Sequence, residues 1–217
     1  MMLLPELGEM SLRIVGFDPG SAHLGCAALD WKWGDPMPRV IYAMTIHVSD
    51  DTVDSSMAEK LGRRDTRMRG IRKELAEFLE LASPTFVITE TPFMQRGKLS
   101  AYESGVEIQL MLRECLWDHS PKLYLNGINP KTLKNHVGVE HKGTTKDDVM
   151  LAIASMYKKH SNIDLTKLDE HSCDAIGAAN YFWRAELQNL PSLIPQKQRT
   201  PKNKKPRRGK RRRKKKI

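Results

Sequence analysis

Two short apolar runs in this chain end on an acid, and both do so where the backbone must turn. The first is Leu12-Arg13-Ile14-Val15-Gly16-Phe17-Asp18, followed at once by Pro19-Gly20. The second is Phe86-Val87-Ile88-Thr89-Glu90, followed by Thr91-Pro92. Runs this short, rich in β-branched and aromatic residues and bounded by Pro and Gly, read as buried strands. A side chain at a strand end is presented to whatever lies beyond the sheet, because the next residues leave the hydrogen-bonded ladder. A third acid, Asp174, sits in an Ala-rich stretch near the end of the folded region. Three carboxylates converging there cannot all stay ionised without counter-charge, and a pair of hard divalent cations supplies it. The chemistry this points to is metal-dependent phosphodiester hydrolysis.

The residues around these runs predict a mixed α/β fold. Residues 12–18, 24–33 and 40–48 read as three strands joined by short turns, hence an antiparallel meander. Residues 50–56 read as a polar, acidic loop. Ile71, Leu75, Phe78, Leu79 and Ala82 then mark one helix face, with Arg63, Arg64, Arg67, Arg69, Arg72 and Lys73 at its start and on its solvent side. Pro84 ends that helix, and residues 85–90 form the fourth strand. Residues 99–117 read as a helix whose apolar positions span too wide an arc for one-sided packing. A fifth strand over 123–128 precedes helices over 130–137, 145–160 and 170–188, with Pro130 suited to a first turn. The expected architecture is a five-stranded mixed sheet flanked by helices on both faces. The same element order belongs to the ribonuclease H-like superfold, which hosts nucleases, transposases and ATPases.

The net charge of +10 is unevenly placed. Residues 197–217 hold 14 Lys or Arg and no acid, while the preceding 196 residues carry 22 basic against 26 acidic side chains. A mildly acidic domain over 1–190 is therefore expected to bear a disordered basic tail over 191–217. Flexible cations lie along phosphates without reading bases, so Lys204, Lys205, Arg207, Arg208, Arg211, Arg212 and Arg213 are expected DNA contacts. Cys26, Cys115 and Cys173 are isolated and odd in number, which excludes a disulfide framework and a zinc knuckle and fits a reducing compartment. No apolar run approaches the roughly 18 residues that cross a bilayer, and the opening residues lack the positive start of a secretory signal. The expectation is an intracellular protein without a membrane partner.

Taken singly, each candidate residue has an ordinary reading. Asp18 in Asp-Pro-Gly can be a turn aspartate capping its own loop. Asp169 can cap the last helix and leave His171 facing solvent; alternatively His171 and Asp174, three apart on a helix, share one functional face. Lys134 and Lys146 bracket the loop over 138–145, either as solvated lysines or as point charges on a phosphodiester strand. Phe93 is either a core residue or an exposed wedge that stacks on a base.

Four segments in order carry a resemblance. They are Gly16-Phe17-Asp18-Pro19-Gly20-Ser21, Ile88-Thr89-Glu90-Thr91-Pro92-Phe93-Met94, Asn129-Pro130-Lys131-Thr132-Leu133-Lys134 with Lys146 beyond it, and His171-Ser172-Cys173-Asp174-Ala175. Together they resemble the RuvC family of Holliday-junction resolvases over residues 12–185. The resemblance implies that Asp18, Glu90 and Asp174 are catalytic carboxylates that bind metal. His171 occupies a fourth ligand position where most relatives carry Asp and some His. It implies further that Lys146 is catalytic and contacts DNA, that Lys134 contacts DNA, and that Phe93 inserts at the crossover. The implied cofactor is Mg²⁺, two ions, with Mn²⁺ as a substitute, and the implied products carry 5′ phosphates. The implied assembly is a homodimer on a four-way junction, with the helix over 99–117 as its candidate surface. The implied place is cytoplasmic or nucleoid-associated, in a host cell if the protein is viral. The basic tail is not part of the family's pattern.

Three other readings remain open at this point. Asp18-x-Gly20-x₄-Gly25 also fits the phosphate-gripping hairpin of actin-like ATPases, which need a second Gly-rich phosphate loop that this sequence does not show. A nuclease of forks and flaps would present the same acids. A junction-binding protein without catalysis would have no use for acids that repel phosphate.

Overall fold

The computed structural model of the chain describes residues 11–188 apart from Ser21, residues 50–53, Gln95, Arg96, Lys98 and residues 138–144. The expected basic tail, with its seven DNA-contacting residues, lies outside the described residues, as does most of the loop between Lys134 and Lys146.

Three strands, β1 (Ser11–Pro19), β2 (His23–Lys32) and β3 (Arg39–His47), form the antiparallel meander that the short connections predict. Strand β4 (Phe86–Glu90) joins β1 in parallel, and β5 (Leu125–Ile128) joins β4 in parallel. The sheet order is β3-β2-β1-β4-β5, so β1 is central.

Alternation along the strands divides the sheet's side chains between two cores. Val15 and Phe17 of β1, with Leu24, Cys26 and Ala28 of β2, face α2 (Arg63–Ala82) and α3 (Leu99–His119). The α2 residues on that side are Ile71, Leu75, Phe78, Leu79 and Ala82, the face its periodicity predicts. Leu12 and Ile14, with Ala27, Leu29 and Ile88, face the opposite way. Their partners come from α4 (Pro130–His136), α5 (Lys146–Tyr157) and α6 (Glu170–Phe182), among them Leu133, Val149, Ile153, Ala175, Ile176 and Ala179. No helix among the described residues is long and apolar enough to cross a membrane.

Two segments differ from the sequence reading. The expected loop over 50–56 already becomes helical at Ser55, where α1 (Ser55–Leu61) starts on an Asp54 cap that accepts from the Ser56 and Met57 amides. This helix buries no residue, so it has no apolar period to read. The expected helix over 170–188 is α-helical only to Phe182. It then widens into a π turn over Trp183–Leu187, closed by the Gln188 amide donating to the Trp183 carbonyl at 2.8 Å. The wider turn leaves both Trp183 and Leu187 in the core.

Candidate active site

Register places the first two acids side by side. The parallel pairing of β1 and β4 runs to Phe17–Thr89, and Asp18 and Glu90 are the next residue on each strand. Phe17 points to the α2–α3 core, so alternation sends Asp18 to the face that α6 covers. Glu90 shares that face with Ile88. The Glu90 carbonyl accepts from Gln109 Nε2 of α3 at 3.1 Å, which secures the strand end.

Helix α6 delivers the remaining two residues because two strand glycines let it lie on the sheet. A Cβ on Gly16 would collide with the Ala175 carbonyl oxygen and stand 2.9 Å from the Ala179 nitrogen. A Cβ on Gly25, which pairs with Asp18 across β1 and β2, would collide with the His171 carbonyl. The Ala and Gly residues of α6 are the half of this fit that was visible in the sequence. The helix start is pinned as well. Asp169 caps it by accepting from the Ser172 amide at 2.9 Å, and Thr45 of β3 donates its hydroxyl to the same carboxylate at 2.7 Å.

Asp169 therefore is a cap, yet the half-buried His171 turns toward Asp18. Its Nδ1 lies 2.7 Å from Asp18 Oδ2 and its Nε2 3.6 Å from Glu170 Oε1. The bond to Asp18 holds the imidazole above its ordinary pKa, with the charges of Asp18 and Glu170 adding to it. On its other side His171 stacks on His23, ring centroids 5.2 Å apart and planes within 9°. His23 Nδ1 in turn lies 2.6 Å from His47 Nδ1, so one of these rings donates and the other accepts. Burial and the neighbouring imidazoles lower the His23 pKa, which favours its neutral form. Sequence reasoning missed His23 and His47: each is a lone histidine on a strand, and only the pairing of β2 with β3 brings them together.

The electrostatics centre on Glu90 and Asp174. Burial, then the charges of Asp18 and Asp174, push Glu90 up to about 8. Burial and Asp18 push Asp174 up to about 6. Lys134 on α4 opposes both shifts, so the charge of this exposed lysine reaches both half-buried acids. Lys146, the first residue of α5, donates to Glu170 Oε1 at 2.6 Å and lines a small cleft of about 100 Å³ with Lys134, Glu170 and Asp174. Glu170 is a further residue the sequence reading left out, since a first-turn glutamate is ordinary in any helix.

Beyond Glu90 opens a second cleft of about 290 Å³, lined by Pro19, Glu90, Pro92, Phe93, Gly105 and Pro130. Phe93 is 60% exposed and its neighbour Met94 57%, so Phe93 is not a core residue.

Among the described residues, no three His, Cys, Asp or Glu side chains stand close enough together to hold a metal ion as placed. The chemistry of the donors nevertheless fits hard cations. Asp18, Glu90 and Asp174 are carboxylates near enough to feel one another's charge, and two of them are held toward the neutral acid by burial and like charge. A divalent ion removes that penalty.

No protein-family model matches the sequence, and no curated protein sequence matches it. Solved structures do. RuvC of Thermus thermophilus, determined in complex with a Holliday junction substrate, aligns with a TM-score of 0.58 at 17% identity, over 82% of this chain and 98% of that one. The yeast mitochondrial Holliday junction resolvase aligns at 0.57 and 12% identity, over 84% and 82%. The fowlpox virus resolvase, determined with its substrate junction DNA, aligns at 0.50 and 13% identity, over 81% and 99%. The fold is the ribonuclease H-like fold of these resolvases.

Proposed function

We propose that this protein is a structure-selective DNA endonuclease that resolves four-way junctions by paired, symmetric nicks. The observation that carries the reading is the meeting of acids from three separate elements. Asp18 and Glu90 end adjacent parallel strands, and α6 brings Asp174 and His171 onto the same face. The junction DNA present with two of the similar structures supports the choice of substrate.

In this reading Asp18, Glu90, Asp174 and His171 would hold two Mg²⁺ ions, with Mn²⁺ as a substitute. When bound, these would supply Lewis acidity and offset negative charge in an in-line displacement. The protein's own groups do the rest. His171 donates from Nδ1 to Asp18 and fixes the carboxylate that lies at the centre of the set. Lys134, whose charge already reaches both half-buried acids, meets the negative charge of the scissile phosphate. Lys146 exchanges its bond to Glu170 for the same strand. Phe93 stands at the mouth of the cleft beside Glu90 and wedges against an unpaired base at the crossover.

Symmetric nicking needs two copies on one junction, so the assembly is a homodimer. Helix α3 offers its surface: Ile108, Met111, Leu112, Cys115 and Leu116 are buried in the core shared with α2 and the sheet, while Leu99, Leu110 and Trp117 stay exposed. The basic tail adds affinity for phosphates without choosing among DNA shapes.

The test is the purified chain with Mg²⁺ on end-labelled four-way junctions, forks and duplex, with the nicks mapped. Paired nicks at symmetric positions, leaving 5′ phosphates, are expected on junctions. Asp18→Asn, Glu90→Gln and Asp174→Asn should each slow cleavage by at least about 10²–10³-fold, with junction binding unchanged or tighter. Near-normal cleavage by Asp174→Asn overturns the site, and equal cleavage of forks moves the substrate to branched DNA in general.

A further inference from the structure

Asn180 is a fully buried polar residue on α6, six residues after Asp174, and it plays no part in the chemistry proposed above. A buried amide is costly unless both its ends are satisfied. Here both are, by the last residues of two different helices. Tyr157, which ends α5, donates its hydroxyl to Asn180 Oδ1 at 2.8 Å. Asn180 Nδ2 then faces His136 Nε2, which ends α4, at 3.2 Å, with Met156 Sδ at 3.4 Å. That assignment makes His136 an acceptor at Nε2. Burial and the nearby Arg184 lower the His136 pKa, which keeps that nitrogen free of a proton.

The three helices joined at this point are the three that carry Lys134, Lys146 and the pair His171 and Asp174. Apart from the ion pair of Lys146 with Glu170, which ties the start of α5 to the start of α6, what else holds them together is apolar. Gly177 of α6 lets them close, since a Cβ there would stand 3.3 Å from Leu133, 3.5 Å from Val137 and 3.8 Å from Ile153. Packing of this kind sets how near helices lie but resists lengthwise sliding weakly. A directional hydrogen bond at each helix end sets the register. The lever is short for α4, where Lys134 lies two residues from His136. It is long for α5, where Lys146 lies eleven residues from Tyr157, about 16 Å at 1.5 Å per residue.

Resting on the functional reading above, we propose that Asn180 is a positioning residue that fixes the lengthwise register of α4 and α5 on α6, and so aligns Lys134 and Lys146 with Asp174. The variant Asn180→Leu keeps the count and branching of the side chain's heavy atoms and removes both bonds. In single-turnover nicking of a four-way junction by the full chain, at saturating protein and Mg²⁺, it should slow cleavage by about 10–100-fold while leaving junction affinity unchanged. In a Lys134→Ala background the same change should cost much less, because the aligned group is already gone. An unchanged rate, or the same fold-loss in both backgrounds, overturns the proposal.

Amide hydrogen exchange on the same proteins, without DNA, gives the second readout. Exchange in α4 should quicken in Asn180→Leu while that of β1 and α6 stays as it was, and unchanged α4 exchange overturns the register role. If the unaltered chain does not nick junctions, the functional reading fails, and exchange alone then decides whether Asn180 sets the register. If Asn180→Leu does not fold, His136→Phe, which gives up the bond to α4, and Tyr157→Phe, which gives up the bond to α5, carry the same comparison one link at a time.

Discussion

The two faces of the sheet reach the same burial by different means. Under α2 and α3, Val15, Phe17, Leu24, Cys26, Ala28 and Ile46 meet Ile71, Leu75, Phe78 and Leu79, none of them more than 3% exposed. These are mostly large apolar side chains, and their contribution scales with the area they remove from water. Under α4, α5 and α6 the residues at closest approach are Gly16, Gly25, Ala175 and Ala179. That face also admits the buried Ser172 and Asn180 and the half-buried acids Glu90 and Asp174. The first face is held by bulk alone, whereas the second adds close backbone approach at its glycines to a core that also contains Trp31, Tyr157 and Trp183. Polar groups concentrate where the helix comes nearest to the sheet, because there the backbones of two elements can aim several side chains at one volume.

If that contrast is right, damage to the bulky face should cost stability and spare the chemistry. Leu75→Ala should lower the unfolding free energy by about 2–5 kcal/mol, read by urea titration, with no change in the nicking rate of the folded protein. A slowed rate in that variant would show that the two faces are coupled.

Gly16→Ala should do the reverse. One methyl against the Ala175 carbonyl must lift α6, at a stability cost of about 1–3 kcal/mol. It should slow nicking far more than Leu75→Ala does, because Asp174 and His171 ride on that helix. Measuring melting and single-turnover rate together separates the two effects.

A third experiment concerns the metal-free protein and its pH. The Glu90 carboxyl titrates near its ordinary 4.5 when unfolded and is pushed up to about 8 when folded. A raised folded value means its share of stability is fully present below pH 4.5 and is lost as pH rises through 8. Asp174, pushed up to about 6, acts in the same direction. Glu90→Gln in chelator should therefore melt above the unaltered protein at pH 8, and the gap should close near pH 4. Adding Mg²⁺ should narrow the gap at pH 8 by stabilising only the protein that keeps its carboxylate. A gap independent of pH would mean that the acid is not held neutral by its surroundings.

The smallest effect on stability belongs to the rim. Phe93→Ala should change stability by no more than about 0.5 kcal/mol, since the ring is 60% exposed. It should still slow resolution, because stacking on an unpaired base is worth about 1–3 kcal/mol. A fall in melting temperature as large as that of Leu75→Ala would return Phe93 to the core.

Much of the fold was legible because its signals are local. The apolar stripe of α2, the three-strand meander, the strands ending at Asp18 and Glu90 and the Pro130 helix start each depend on residues within a few positions of one another. Helix α1 was missed because it buries nothing, and the π turn after Phe182 was missed because its pattern differs from an α-helix by one residue. Within the site, the acids and His171 could be named from motifs. Their partners could not: Asp18 and His171 meet across 153 residues of chain, and Lys146 finds Glu170 across 24.

The sequence by itself determined most of the strands and helices, the apolar face of α2 and which acids end strands, because periodicity and turn chemistry act over short stretches of backbone. Only the tertiary structure decided that Gly16 and Gly25 form the seat of α6, that His23 and His47 brace His171, and that Asn180 joins three helices at one point. Those outcomes depend on the order β3-β2-β1-β4-β5 and on how closely one helix approaches the sheet. Close approach is a property of two surfaces at once, and neither segment carries it alone.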